Sequence, residues 1–207
     1  MIHFLKRVKI KIDNLLRRYR IGRWRSGTDR CRARLARYCE GYGIDIGAGG
    51  DPIKPSAITV DLPTPYTSLS NGAPVQLGGD ARDLRWFRDG VLDFVYSSHV
   101  LEDFEHPGEV VREWLRVLKP GGTLVIYCPD QKRYVEYCRA HRETSNPYHF
   151  YPDFSLEFVL ARIPSDLEYT IEHRDPEVDL YSWELVIRKQ PSAAKPSVDR
   201  IVPAPLD

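Results

Sequence analysis

The chain has 207 residues, of which 42% are hydrophobic and 29% are charged, as in one ordinary globular domain. No run of about 18 apolar residues occurs, so no membrane-spanning helix is predicted. The amino terminus also lacks the apolar core of a secretory signal. Four cysteines without paired spacing predict reduced thiols and no metal site, and we expect a cytoplasmic protein.

Residues 1–40 form a basic segment that contains thirteen Lys or Arg and three Asp or Glu, although the whole chain carries a net charge of only +1. Its first half has apolar residues at helical spacing, and such a basic amphipathic helix can lie on an anionic membrane surface. We therefore expect possible peripheral membrane contact through residues 1–20. The alternatives are packing against the chain's own domain and contact with nucleic acid phosphates, and nucleic acid is not the expected partner.

The most informative stretch is a short apolar strand that runs into a glycine-rich turn, residues 43–50. Asp45 stands two positions before Gly47, and both Gly47 and Gly49 permit positive φ and a close approach of ligand to backbone. The next predicted strand ends in Asp61, where a carboxylate can accept hydrogen bonds from both ribose hydroxyls. This pattern predicts a nucleoside-containing cofactor at the carboxyl edge of a parallel sheet.

The same turn argues against a dinucleotide. The fingerprint G-x-G-x-x-G requires a third glycine, and Pro52 occupies that position counted from Gly47. A nicotinamide-dependent enzyme is therefore disfavoured.

The order of motifs resembles that of the class I S-adenosylmethionine-dependent methyltransferases. The D-x-G-x-G of residues 45–49 is followed by a buried strand, an S-x-x-V-L-E motif, a helix, an L-K-P-G-G segment and another buried strand, at 92–98, 97–102, 107–118, 118–122 and 123–128. The resemblance covers residues 42–130 and is to the small-molecule branch. Residues 146–151 also resemble methyltransferases of surface-polysaccharide gene clusters.

The resemblance implies an α/β fold with a Rossmann-like, mostly parallel seven-stranded sheet and an antiparallel last strand. It also implies a cofactor site in which the glycine turn holds the amino-acid carboxylate. Asp45 would face the cationic groups, Asp61 the ribose and Asp80 the adenine. The full predicted cofactor set is Asp45, Gly47, Ala48, Gly49, Asp61, Leu62, Asp80, Ala81, Ser97 and Ser98.

The first crossovers of this sheet are predicted to be loops. Only residues 51–56 separate the glycine turn from the second strand, and two of the six are proline, so no helix fits. Residues 62–74 contain three prolines and an Asn-Gly pair and also predict a loop. A parallel sheet does not tolerate an uncovered apolar face, and a helix from residues 1–40 could cover it.

The implied reaction is an in-line methyl transfer, which needs a general base only when the acceptor atom carries a proton. His99, just beyond the fourth strand, and His149 are the candidate bases. Aromatic and polar residues between positions 129 and 153 predict the site for a small-molecule or glycan acceptor, with His141, Tyr148 and Tyr151 as substrate contacts.

The predicted domain order is the basic segment 1–40, a methyltransferase domain at 41–190 and a disordered tail at 191–207. Two helices are predicted at 131–142 and 155–161, and a terminal antiparallel hairpin with its connection at 174–177. Two further functions stay open beside methylation of a small molecule or glycan. One is RNA methylation, which only the basic segment supports, and the other is a catalytically silent cofactor- or partner-binding domain.

Overall fold

The computed structural model describes residues 26–62 and 74–191. Residues 1–20, for which a membrane contact is predicted, lie outside these described residues. The same is true of most of the predicted loop at 62–74 and of nearly all of the predicted tail. Within the described residues, no helix is long and apolar enough to cross a membrane.

Seven strands form one mixed sheet in the order β3-β2-β1-β4-β5-β7-β6. Strand β7 runs antiparallel to both of its neighbours, and all the other pairs are parallel. The predicted Rossmann-like sheet with one antiparallel last strand is confirmed. The strands are β1 (Gly43–Ile46), β2 (Ile58–Asp61), β3 (Leu77–Gly78), β4 (Leu92–Ser98), β5 (Leu118–Pro129), β6 (Tyr169–Val178) and β7 (Ser182–Lys189).

Four α-helices accompany the sheet in the described residues, and three of them begin at side-chain caps. Ser26, Asp130 and Ser155 each accept a hydrogen bond from a backbone N–H in the first turn of the helix that follows. The helices predicted after the fourth and fifth strands are confirmed to within two residues. The helices are α1 (Gly27–Leu35), α2 (Pro107–Val117), α3 (Gln131–Ala140) and α4 (Leu156–Leu160).

The crossover from β1 to β2 contains no helix, as predicted. Residues 47–57 form turns and bends, and residues 79–91 between β3 and β4 do the same. The part of the chain that the structure describes therefore has fewer helices to cover the sheet than a regular alternation of strands and helices would supply.

Alternate residues of the central strands point to two separate apolar cores. On one face Ile44 and Val95 pack towards Trp114 of α2. On the other face Phe94 and Tyr96 pack with Cys31 and Leu35 of α1 and with Ile53 and Ala57 of the loop that replaces the first crossover helix. Helix α1, which lies in the predicted basic segment, thus covers the second face of the sheet.

Ion pairs fasten α1 to that face. The Arg34 guanidinium bonds to the buried carboxylate of Glu184 at 2.6 Å and to Asp179 at 2.6 Å. Arg32 pairs with Asp51 of the loop after the glycine turn. Two arginines of the basic segment are therefore neutralised within the domain.

The hairpin connection predicted at 174–177 is wrong, because these residues belong to β6. The turn lies at residues 179–181, where Asp179 has a φ of 53°. Strand β6 lies at the edge of the sheet, and its pairing with β7 is irregular between Asp175 and Val178. An edge strand tolerates the missing N–H of Pro176 at such an irregularity.

Removing the Leu35 side chain tests the role of α1 as a cover. Leu35 is fully buried in the second core, so Leu35→Ala is expected to lower the free energy of unfolding by about 2–5 kcal/mol. Urea unfolding of the full chain measures this change. Arg37→Ala is the control, because Arg37 is exposed, and it should change the free energy by less than about 0.5 kcal/mol. Equal effects of the two variants would contradict the assigned packing.

Candidate active site

The predicted cofactor residues meet at one edge of the sheet. They lie at or just beyond the carboxyl ends of four neighbouring parallel strands, which is where open α/β sheets bind their ligands. Backbone bonds between the strand ends fix the edge: Gly47 N–H donates to Val60 O at 2.8 Å, and Gly79 N–H donates to Asp61 O at 2.8 Å. The residues brought together are Gly47, Ala48 and Gly49 after β1, Asp61 and Leu62 at the end of β2, Asp80 and Ala81 after β3, and Ser97 and Ser98 at the end of β4.

The turn after β1 depends on its glycines. Gly47, Gly49 and Gly50 have φ values of 72°, 55° and 93°, a conformation that side chains other than glycine rarely adopt. A Cβ on Gly47 would also lie 2.1 Å from Cγ2 of Val100. The glycines therefore keep the backbone close to the residues that follow β4.

The Asp61 carboxylate organises this turn. Its Oδ2 accepts a hydrogen bond from Gly49 N–H at 3.2 Å, and its Oδ1 accepts one from Leu62 N–H at 2.7 Å. Burial raises the pKa of Asp61, and the two N–H donors oppose that rise. Each oxygen keeps a second lone pair, so the carboxylate can still accept hydrogen bonds from a ligand diol.

Asp45 lies beneath the turn and is almost completely buried. Its Oδ2 accepts a hydrogen bond from Ile53 N–H at 2.6 Å, whereas Oδ1 is buried without a hydrogen-bond partner. Burial raises the pKa of Asp45 to about 8. An unpartnered carboxylate oxygen at this depth is suited to a cationic ligand group.

The remaining predicted cofactor residues have structural partners as well. Arg82 binds the Asp80 carboxylate with two nitrogens and holds its pKa below the ordinary range. The Ala81 carbonyl accepts a hydrogen bond from the Trp114 indole at 2.8 Å, and Ser97 donates to Ile46 O at 3.3 Å. These contacts fix the loop after β3 and the end of β4.

A buried carboxylate joins the two histidines that were predicted as bases. Oε1 of Glu102 lies 3.5 Å from Nδ1 of His99 and 3.6 Å from Nε2 of His149. Burial acts to raise the pKa of Glu102, but the two imidazoles outweigh it and hold that pKa below its ordinary value. Sequence reasoning missed Glu102 as a site residue, although the S-x-x-V-L-E motif contains it.

The two histidines differ in exposure. His149 keeps only 4% of its side chain exposed, and its Nδ1 donates to Oε1 of Gln131 at 2.5 Å. Burial lowers the pKa of His149, and Glu102 opposes that change. The His99 side chain is 28% exposed and lies at the end of β4 beside the cofactor residues. Of the two, only His99 presents a ring edge to an incoming acceptor.

Aromatic rings extend from His99 along one side of the site, and we call them the aromatic wall. His99 meets Tyr181 edge to face with ring centroids 6.2 Å apart. Tyr181 in turn contacts Tyr134 at 5.0 Å and Tyr137 at 5.1 Å. The outer end is His141, which stacks on Tyr137 at 4.1 Å. The wall is therefore Tyr134, Tyr137, His141 and Tyr181, and Tyr181 was not predicted from the sequence.

The predicted acceptor contacts lie in different surroundings. His141 belongs to the exposed end of the wall. The hydroxyl oxygen of Tyr148 is buried. Tyr151 packs against the first core, and its hydroxyl donates to Glu105 O at 2.7 Å. Tyr151 therefore has a structural role that its sequence context did not indicate.

Helix α1 borders the site from the other side. A Cβ on Gly27 would lie 2.6 Å from Oγ of Ser98 and 2.6 Å from Cδ2 of His99. Ser26 bonds to the carboxylate of Asp51, and Arg30 lies over the Tyr181 ring at 5.9 Å. The start of α1 thus touches both the cofactor edge and the aromatic wall, which the sequence did not predict.

These residues fit the cofactor that the motifs imply. S-adenosylmethionine carries a ribose diol, an ammonium group and a sulfonium, and the edge offers Asp61 to the diol and the unpartnered Oδ1 of Asp45 to a cation. Three of the four residues at 47–50 are glycine, so a ligand can approach the backbone of this turn closely. The described residues contain no cluster that could hold a metal ion.

Comparison with protein families agrees with this geometry. Residues 26–126 match the family model of a methyltransferase domain. The match begins at the cap of α1 and ends within β5, so it contains the whole cofactor edge. The sequence matches none of the curated proteins with which it was compared.

Several solved structures are similar in fold at low sequence identity. A methyltransferase from Thermotoga maritima, described as a possible histamine N-methyltransferase, has 18% identity and a TM-score of 0.58, covering 92% of this chain and 100% of its own. A methyltransferase from Archaeoglobus fulgidus has 18% identity and a TM-score of 0.56, covering 84% and 98%. A protein from Pyrococcus horikoshii has 20% identity and a TM-score of 0.57, covering 78% and 89%. These likenesses concern the fold and do not identify an acceptor.

The role assigned to Asp61 predicts a loss of cofactor affinity in Asp61→Asn. The amide keeps the size of the carboxylate but loses its charge and turns an NH2 group towards one of the two backbone donors. S-adenosylhomocysteine should bind about tenfold to a hundredfold more weakly by calorimetry, which is the value of hydrogen bonds to a charged group. Asp166→Asn, which removes an exposed ion pair with Arg112, should leave the affinity unchanged. Unchanged affinity in Asp61→Asn would mean that the ribose lies elsewhere.

The raised pKa of Asp45 predicts a pH-dependent stability. The folded state keeps a proton on Asp45 up to a pH of about 8, whereas the unfolded chain releases it near the ordinary value of 3.8. The wild-type protein therefore loses stability from this group as the pH rises from 3.8 to about 8. The unfolding free energy of Asp45→Asn should rise relative to wild type over this range and become level above it.

Urea unfolding at a series of pH values measures this difference without ligand. Asp93→Asn is a control of opposite sign, because Lys119 and Tyr42 N–H lower the pKa of Asp93. Its effect should be constant above the ordinary carboxylate range and change only in more acidic solution. A difference between Asp45→Asn and wild type that did not vary with pH would contradict the buried, protonated carboxyl group.

Proposed function

We propose that this chain, whose residues 26–126 match the model of a methyltransferase domain, is an S-adenosylmethionine-dependent methyltransferase that methylates a small-molecule or glycan acceptor lying against the aromatic wall. The observation that carries the proposal is the continuity of the wall with the cofactor edge. His99 directly follows Ser98 at the end of β4, and its ring contacts Tyr181 of the wall. An acceptor on the wall therefore lies beside the end of the sheet where the methyl group is held.

The chemistry of the wall suits a compact ring-shaped acceptor. Aromatic faces pack against the apolar faces of sugar or phenolic rings, while the polar rim groups bind hydroxyls. Here the faces come from Tyr134 and Tyr137, and polar groups are supplied by His99 and His141. The proposed acceptor is thus a sugar, a sugar-containing intermediate or a small phenol.

The chain's own residues supply binding, orientation and exclusion of water. S-adenosylmethionine supplies a methyl group on a positively charged sulfur, which leaves as a neutral thioether. Asp61 and the glycine turn orient the cofactor. The surroundings of Asp45 are buried, so they keep water from the cationic end of the cofactor. Because such a leaving group is good, alignment and desolvation supply much of the rate.

The described part of the basic segment favours this reading over RNA methylation. Arg32 and Arg34 of α1 are paired with Asp51, Asp179 and Glu184. Arginines that are neutralised by carboxylates have little capacity to bind phosphates. The acceptor is therefore proposed to be a small molecule or glycan, and RNA is the outcome that would replace it.

Labelled methyl transfer by the full chain tests the proposal. The panel contains nucleotide sugars, lipid-linked glycans, small phenols and tRNA, and product is expected on a sugar or phenol. S-adenosylhomocysteine should bind in the micromolar range by calorimetry, with no binding of NAD. Product on tRNA alone would overturn the acceptor class. Cofactor binding without transfer to any acceptor would favour the catalytically silent domain.

Tyr137 tests the aromatic wall with the acceptor that the panel identifies. Tyr137→Ala is expected to raise KM for the acceptor on the order of tenfold, because a stacking ring contributes roughly 1.4 kcal/mol. Tyr137→Phe keeps the ring and is the matched control, with KM within about twofold of wild type. Affinity for S-adenosylhomocysteine should be the same in both variants. A KM in Tyr137→Ala equal to that of the control would place the acceptor elsewhere.

A further inference from the structure

We infer that His99 is the general base of the transfer, that Glu102 and His149 are its positioning residues, and that the methylated atom is a hydroxyl oxygen. This inference rests on the proposed function and names the chemistry of its acceptor. The sequence predicted the same role for His99 and His149. Of the two, only His99 is now assigned a contact with the acceptor.

The orientation of the His99 ring is the first support. Its Nδ1 faces Oε1 of Glu102 at 3.5 Å, so the opposite ring nitrogen, Nε2, points away from the carboxylate. The backbone of His99 has a φ of 56°, and its N–H donates to Tyr127 O at 2.9 Å. A residue other than glycine is rarely held in this conformation, and such strain is concentrated at functional sites.

The space around Nε2 of His99 is the second support. A Cβ on Gly27 would lie 3.2 Å from this nitrogen and 2.6 Å from the adjacent ring carbon. Gly27 therefore lies against the Nε2 edge of the imidazole, where a larger residue would clash, and the His99 side chain as a whole stays 28% exposed. His99 lies next to Ser98 at the cofactor edge and next to Tyr181 of the wall, so its outer nitrogen lies between cofactor and acceptor.

The burial of Glu102 gives it a positioning role. Its side chain is 1% exposed, and its backbone carbonyl accepts a hydrogen bond from Phe150 N–H at 2.8 Å. Phe150 belongs to the loop at 141–155 between α3 and α4, which we call the acceptor loop, so this bond ties the loop to Glu102. Its carboxylate oxygens accept no hydrogen bond in the described structure, and its two ion-pair neighbours are His99 and His149. A buried carboxylate so placed favours the tautomer in which the imidazole nitrogen that faces it carries the proton.

His149 also faces Glu102, but it does not meet the acceptor. Its two ring nitrogens contact Gln131 and face Glu102, and with 4% of its side chain exposed it has no free edge for an acceptor. Gln131 is the first residue of α3, so the helix after β5 holds the ring through this hydrogen bond. His149 therefore holds Glu102 in place rather than meeting the acceptor.

Other ionisable groups surround His99 and Glu102. Helix α1 approaches His99 through Gly27, which has no side chain. The ionisable or charged side chains near the pair come from β5, the hairpin turn, the acceptor loop and α1, and they are Tyr127, Cys128, Tyr181, His149 and Arg30. Burial raises the pKa of Tyr127 and of Cys128, so both stay neutral near neutral pH.

The proposed step moves one proton and one methyl group. The acceptor hydroxyl gives its proton to Nε2 of His99 while its oxygen forms a bond to the methyl carbon, and the carbon–sulfur bond breaks with its electron pair on sulfur. The imidazolium that forms is paired with Glu102 and then releases its proton to solvent. A hydroxyl requires such a base because its own pKa is far above neutral, whereas a neutral amine already offers a lone pair.

Four variants test the assignment in the full chain. His99→Gln should lower kcat by about a hundredfold or more, and Glu102→Gln by about tenfold to a hundredfold. His149→Gln should lower kcat less than His99→Gln and leave KM for the acceptor unchanged. His106→Gln is the control, because His106 precedes α2 without a side-chain capping bond. All four variants should bind S-adenosylhomocysteine within about threefold of wild type.

Nitrogen NMR of the His99 imidazole supplies a readout that does not depend on activity. With S-adenosylhomocysteine bound, the neutral ring should carry its proton on Nδ1 and leave Nε2 free. In Glu102→Gln the proton should no longer be confined to Nδ1, because the carboxylate that this nitrogen faces is gone. If Glu102→Gln does not fold, His149→Gln should change the same distribution of the proton, because it disturbs the same carboxylate.

The outcomes separate this inference from the proposed function. A proton on Nε2 in the wild-type protein, or a proton position on His99 that responds to neither variant, overturns the inference even when methyl transfer is normal. Full activity of His99→Gln, or a product methylated on nitrogen, overturns it as well. No transfer to any acceptor, together with the expected tautomer and its expected change in the variants, would reject the proposed function while the His99–Glu102 coupling stood.

Discussion

The need to cover the second face of the sheet governs the rest of this structure. The glycine turn after β1 leads into a proline-bounded loop, so no crossover helix forms there, and the apolar side chains of Phe94 and Tyr96 would otherwise meet water. Helix α1 supplies the cover, with Leu35 in the core and Arg34 held by Glu184 and Asp179. A segment that precedes the nucleotide-binding unit in sequence is thereby part of its core.

The packing of α1 against the sheet also places the first residues of α1 at the active site. Ser26 and Arg32 bind Asp51 just after the glycine turn, and Gly27 lies against His99. A crossover helix would have contacted the sheet behind the turn, whereas α1 touches the cofactor edge and the aromatic wall together. Packing of the domain and assembly of the site therefore depend on one helix.

Buried carboxylates give the site its electrostatic character. Asp45 is kept protonated to a pH of about 8 by burial, while Glu102, equally buried, stays ionised because two imidazoles face it. The pKa values of Asp45 and Glu102 differ because their neighbouring groups differ, and not because one side chain is more buried than the other. Asp45 is thus a neutral carboxyl group that an incoming cationic ligand group would favour in its ionised form, whereas Glu102 is already ionised and orients a base.

The sequence by itself determined the features of the cofactor edge, because each of them is local. The glycine turn, the acidic ends of β1 and β2 and the periodicity of β4 and α2 each depend on a few consecutive residues, and so does the loss of the first crossover helix. The grouping of Glu102 with His99 and His149 and the aromatic wall were decided only by the tertiary structure. They join residues from β4, the acceptor loop, α3 and the hairpin turn. No local sequence pattern predicts which side chains a buried Glu will face. The position of the hairpin turn differs from the prediction for the same reason. A proline breaks a central strand but is tolerated in an edge strand, and only the assembled sheet shows which strand is the edge.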